Sequence, residues 1–183
     1  MSNFFNSPAF FYLLLAGFAA YTVYYLYNVF KYVHGHLKAR KLYKEKYGTE
    51  NTRNINQFWV WTALYVFFII YAVYSAVTID PQMEQAAWFR MAFSFVALIL
   101  FGQLGLIIVK RNALIGPEAF VVEDAVIPFK SVVSMDPKKR GFQRIVTLTT
   151  TMGKYDLAPE IGKAIHAAHE EWKKNRKEKK GKK

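Results

Sequence analysis

Three residues near the end of the chain carry the clearest hint of chemistry. His166, His169 and Glu170 stand at i, i+3 and i+4, a helical spacing that could hold a metal ion. No second cluster of ligating residues accompanies them, so they read better as partly exposed helix residues beside a charged tail. His34 and His36 are two apart, which turns them to different faces of a helix in a basic loop, and they read as interfacial residues. The chain has no cysteine, which excludes disulfides, thiolate nucleophiles, Cys-ligated zinc and iron–sulfur clusters. No Gly-rich phosphate loop, nucleophile elbow or pair of catalytic carboxylates occurs. The expectation is a protein without catalytic residues, cofactor or metal.

Basic residues are the other chemical resource: the 183 residues carry a net charge of +12. Lys138, Lys139 and Arg140 sit in a run, Asp136 to Gly141, that Pro137 and Gly141 mark as a loop. Lys38, Arg40 and Lys41 belong to a second basic stretch. Both sets are expected to meet anionic lipid headgroups, where each basic side chain near the surface contributes about 1 kcal/mol. Nucleic acid is not the expected partner, because neither an aromatic platform nor a recognition helix accompanies the charge.

The elements that position these residues begin with three uncharged apolar runs, at about 9–30, 57–79 and 91–109. Each is long enough to cross a hydrocarbon core of roughly 30 Å as a helix. Together they make residues 1–109 a three-helix transmembrane unit. None of the runs contains Asp, Glu, Lys, Arg or His, the groups that ion-coupled carriers, pumps and intramembrane proteases need at depth. The first run is rich in tyrosine: Tyr21, Tyr24, Tyr25 and Tyr27, with Tyr32 just beyond. These rings could line a groove for a lipid or peptide, or form an aromatic belt and interhelical packing, the simpler reading. Gly102, Gln103 and Gly105 in the third run suit close helix packing.

Of the 25 Lys and Arg residues, Arg90 alone falls outside the loop 31–56 and the stretch that follows the third run. The positive-inside rule then predicts a multi-pass protein of the cell membrane with its N-terminus outside and its C-terminus in the cytoplasm. The segment 80–90 is expected along the outer interface, and the first run is expected to continue as a helix through residues 34–46.

After Lys110 and Arg111 the pattern changes to short β-type runs: Ala119–Val122, then 126–129 across the polar turn Glu123–Asp124, then 131–135, 142–150 and 154–157. A helix begins at Pro159, with Glu160 beside it to complement the dipole. Its residues Ile161, Ala164, Ile165, Ala168 and Trp172 share one face at helical spacing, and Ile161, Ile165, Ala168 and Trp172 are the expected helix-to-sheet contacts. The fold class is therefore an α-helical membrane unit plus a small α+β cytoplasmic domain over residues 112–175, an antiparallel sheet capped by a C-terminal helix. A disordered basic tail is expected at 176–183.

Gly116, a short strand, a polar turn, the run Val126-Ile127-Pro128-Phe129-Lys130-Ser131-Val132-Val133, a long strand, a hairpin with Gly153-Lys154 and a final helix together resemble the bacterial PH-like domains that follow transmembrane spans. In these an Ile-Pro followed by an aromatic residue ends one strand before the next begins. The resemblance covers about residues 110–175 and implies a membrane-associated interaction module with no catalytic residues to carry over. The function expected is that of a non-enzymatic, membrane-anchored interaction or regulatory protein of the cell envelope, with a protein partner in the membrane or cytoplasm. The alternative is an accessory subunit of a larger membrane transport or secretion complex.

Overall fold

The computed structural model describes residues 8–82, 86–140 and 143–181. It divides into two compact units, one formed by the chain up to Lys31 with Val60–Leu106, the other by Tyr32–Trp59 with Ile107–Lys183.

The first unit is helical. Helix α1 (Pro8–Tyr47) contributes its part up to Lys31, and α2 (Trp59–Thr78) and α3 (Ala86–Lys110) contribute most of their length. All three are long and apolar enough to cross a membrane. Phe67, Ile70, Tyr74 and Val77 of α2 are exposed, a face that would be costly in water and is at ease in hydrocarbon. Helix α3 starts earlier than the uncharged run and takes in Arg90, whose guanidinium donates to the Ile79 carbonyl (2.7 Å) just past the end of α2. A cation there satisfies a carbonyl left over by helix geometry. Residues 83–85 of the expected interfacial segment lie outside the described residues. A Cβ at Gly102 would lie 2.5 Å from the Tyr25 ring, so α1 and α3 approach closely where glycine permits it. Tyr21, Tyr24 and Tyr27 face outward.

The second unit is α+β. Strands β1 (Arg53–Asn56), β2 (Asn112–Ile115), β3 (Ala119–Val122) and β4 (Ala125–Pro128) form an antiparallel sheet in that order. A single 3-10 turn, Phe129–Ser131, leads to a second antiparallel sheet of β5 (Val132–Arg140), β6 (Gln143–Thr150) and β7 (Gly153–Leu157), and α4 (Pro159–Gly181) follows. Alternation along β2 and β3 sends Ala113, Ile115, Phe120 and Val122 into one core, which Ile127, Phe129, Leu148, Leu157, Ile161 and Ile165 complete. Ala168 and Trp172 pack against it. Leu114, Val121 and Ala119 form a second cluster with Ala39 and Tyr43 of α1. Apolar partners on both faces explain why β2 and β3 are buried along their whole length.

Four features differ from the sequence expectation. The domain takes in residues 32–59 as well as 112–175, because β1 pairs with β2 from Arg53↔Ile115 to Asn56↔Asn112. Strand β2 itself was not expected. The run Asp136–Arg140, read as a loop, is the end of β5, with Pro137 opposite Val146. Among the described residues strand β5 has a ladder partner on one side, and an edge strand tolerates a residue without N–H. Finally, α4 runs on through 176–181, where a disordered tail was expected, over Lys, Arg and Glu residues that favour helix and that follow the pair Lys173–Glu170 (2.9 Å).

Candidate anion-binding groove

The β5–β6 ladder sets three cross-strand pairs on one face: Met135↔Leu148, Pro137↔Val146 and Lys139↔Arg144. Leu148 is fully buried in the core, so this face carries α4, and the two cations lie at its far end. Helix α4 comes in close at Gly162, where a Cβ would lie 2.6 Å from that of Val146. Further out the two elements part, leaving a groove of about 660 Å³. Its apolar lining is Met135, Pro137, Ile145, Val146, Pro159 and Gly162. Its polar lining is Lys138, Lys139, Arg144, Lys163 and His166. None of these lining residues is acidic. Like charges directly opposite one another across a ladder are destabilising, so the Lys139–Arg144 pair is not there for the sheet's benefit.

Compared with known families, curated proteins and solved structures, the chain matches none. What the residues can do must be read from their placement.

Lys138 and Lys139 both border the groove, Lys139 from the face that carries α4 and Lys138 from the opposite pleat, while the Arg140 side chain lies outside the described residues. Lys38, Arg40 and Lys41 are on α1 and do not line it; Lys38 and Lys41 are exposed and Arg40 is half-buried. Two members of the cationic set, Arg144 and Lys163, were not singled out from sequence. The signal that could have found Arg144 is the hairpin register, since Gly141 between two β-type runs places 139 opposite 144.

The histidines are separated by placement. His166 borders the groove, whereas His169 is buried and lies against both Phe129 (centroids 5.8 Å, 13°) and Trp172 (5.8 Å, 23°), whose own centroids are 6.2 Å apart. Glu170 is held by Lys173. Among the described residues no three His, Asp or Glu side chains gather as a metal site would need. His36 is buried on the β3–β4 turn, its Nδ1–H donating to the Glu123 carbonyl, and Glu123 adopts φ +52° there. His34 is exposed.

Burial pushes the His169 imidazole below its usual range, and Lys173 adds to this. The unfolded chain therefore takes up the proton first, near pH 6.5. The contribution of His169 to stability is complete above that pH and is lost as the pH falls below it. Thermal melts of the wild type should show falling stability from about pH 7 to pH 5, and His169→Phe should flatten that decline. An identical pH slope in the variant would remove His169 as its source.

Proposed function

We propose that this chain is a non-enzymatic membrane-anchored interaction protein that presents a PH-like domain at the cytoplasmic face of the cell membrane. The observation that carries the reading is the pairing of β1 with β2. The two strands flank α2 and α3, and a continuous ladder between them requires both to lie on one side of the bilayer. Two crossings by the intervening helices meet that requirement, and the basic residues on either side of the pair favour the cytoplasm. The PH-like assignment is supported by the order of parts: a turn at Glu123–Asp124, the Ile127-Pro128 end of β4 before Phe129, a long β6, a hairpin at Gly153 and a closing α4.

The absence of native cysteine makes the orientation directly measurable. Single cysteines at Lys41, Gln82 and Lys163, each exposed, are treated with a membrane-impermeant maleimide on intact cells. Only the Gln82→Cys variant should label before lysis, and all three after it. Labelling of Lys41→Cys or Lys163→Cys from outside would overturn the orientation, and crosslinking in the same cells would identify the partner.

A further inference from the structure

The groove between β5, β6 and the first turns of α4 concentrates more positive charge than folding asks for. Three elements deliver it: Lys139 from β5, Arg144 from β6 and Lys163 from α4, with Lys138 bordering the groove from the opposite pleat of β5. Charges placed only for solubility or to blunt the β5 edge would be best turned outward. Lys139 and Arg144 instead share the face that carries Leu148 and α4, directly opposite each other. Such a pair is relieved when one multiply charged anion sits between its members, bound by a planar guanidinium fork and by ammonium groups.

We infer that this groove is a binding site for a phosphate-bearing anion with a compact apolar portion. The inference rests on the reading of the domain as an interaction module and names the ligand class for it. At about 660 Å³ the groove falls within the roughly 300–1,000 Å³ of ordinary ligand pockets. Its make-up is also theirs: apolar walls from Met135, Pro137, Ile145 and Val146, with a few converging polar groups. The beginning of α4 adds the positive end of the helix dipole from the same side as Lys163, and Glu160 of that turn does not line the groove. A phosphate group matches this set better than a single carboxylate does, because one carboxylate leaves several of the cations unneutralised. The phosphate can belong to a soluble ester or to a lipid headgroup with a phosphomonoester.

The test uses the full-length protein in phosphatidylcholine nanodiscs, titrated calorimetrically with inorganic pyrophosphate. Wild type should bind, and Arg144→Gln and Lys163→Gln should each weaken binding about tenfold or more. Lys174→Gln, which removes one charge from an exposed position of α4 outside the groove, should bind as wild type does. The groove variants should unfold at the same temperature as wild type or higher, since a repulsion is removed, so weak binding cannot be put down to misfolding. In a second arm phosphatidic acid is included in the nanodisc. A fall in apparent pyrophosphate affinity supports the site with the lipid as source, and no change supports it with a soluble source. The site is overturned if pyrophosphate fails to bind, if the groove variants bind as wild type does, or if Lys174→Gln loses as much. Groove-dependent binding of polyglutamate in place of pyrophosphate would also overturn it, in favour of an acidic peptide. These outcomes are independent of the labelling experiment, so failure of the orientation and failure of the site are told apart.

Discussion

Gly116→Val is expected to abolish folding of the α+β unit while leaving the apolar helices helical. Gly116 follows β2, and its N–H donates to the Ala119 carbonyl (3.0 Å). A methyl group placed there would fall on the Tyr43 hydroxyl. Tyr43 cannot step aside: it is completely buried among Ala39, Leu114, Ala119 and Val121, with the Tyr47 ring at 5.2 Å. Overpacking of a rigid site costs about 1–3 kcal/mol, occasionally more. Expelling Tyr43 would add the loss of a large buried side chain, about 1.5–3 kcal/mol. The sum is comparable with the whole stability of a small domain. Limited proteolysis of the full chain should show the region after Lys110 cut rapidly in the variant. The milder Gly116→Ala should be partly rescued by Tyr43→Phe, which removes the clashing oxygen. Wild-type protection in Gly116→Val would show that α1 does not pack on the sheet this tightly.

The second large effect concerns truncation. Residues 112–183 on their own should not fold, although the strand pattern that suggested the domain lies within them. Without residues 32–59, β2 loses its pairing with β1, and Leu114, Ala119 and Val121 lose Ala39 and Tyr43. Exposing that face forfeits about 25 cal/mol per Å² of apolar surface, and the orphaned β2 edge invites association. A polypeptide that joins residues 32–56 to 112–181 through a short turn should recover cooperative melting. Cooperative melting of 112–183 alone, at the temperature of the joined form, would sink the expectation.

How much of this was legible follows from where each element draws its stability. The three long apolar helices could be read directly, because length and lack of charge mark each one independently; the second run, 57–79, is α2 at Trp59–Thr78. Ala119–Val122 and the start of α4 at Pro159 could be read too, the first from its β-branched run and polar turn, the second from N-terminal proline and acid. Strand β1 could not. Arg-Asn-Ile-Asn has neither alternation nor bulk, and it is a strand because Asn112–Ile115 offers it a ladder. Strand β2 was hidden for another reason: Asn-Ala-Leu-Ile, set between Lys110-Arg111 and Gly116, is only four residues long and lacks the polar–apolar alternation of a half-buried strand, because both of its faces are covered. Pro137 was weighed by its local habit, which an edge position overrules. The groove was half visible. Lys138 and Lys139 announced themselves as a basic run; Arg144 joins them through a hairpin register that the loop reading of Asp136–Gly141 hid, and Lys163 through helix docking, which is not local in sequence.

The interruption of one sheet by two apolar helices also sets an order of events during synthesis. Strand β1 leaves the ribosome first and has nothing to pair with until Asn112–Ile115 has been made, by which time all of α2 and α3 has been translated. On the proposed topology, insertion of α2 and α3 precedes closure of the β-structure, and a chain whose helices failed to insert correctly would be left with a single polar strand and an unfinished core. Such a chain exposes Phe120, Ile127 and Leu148 to the cell's proteases, whereas a correctly inserted one buries them. On that topology, folding of the α+β unit reports on successful integration of the helical unit.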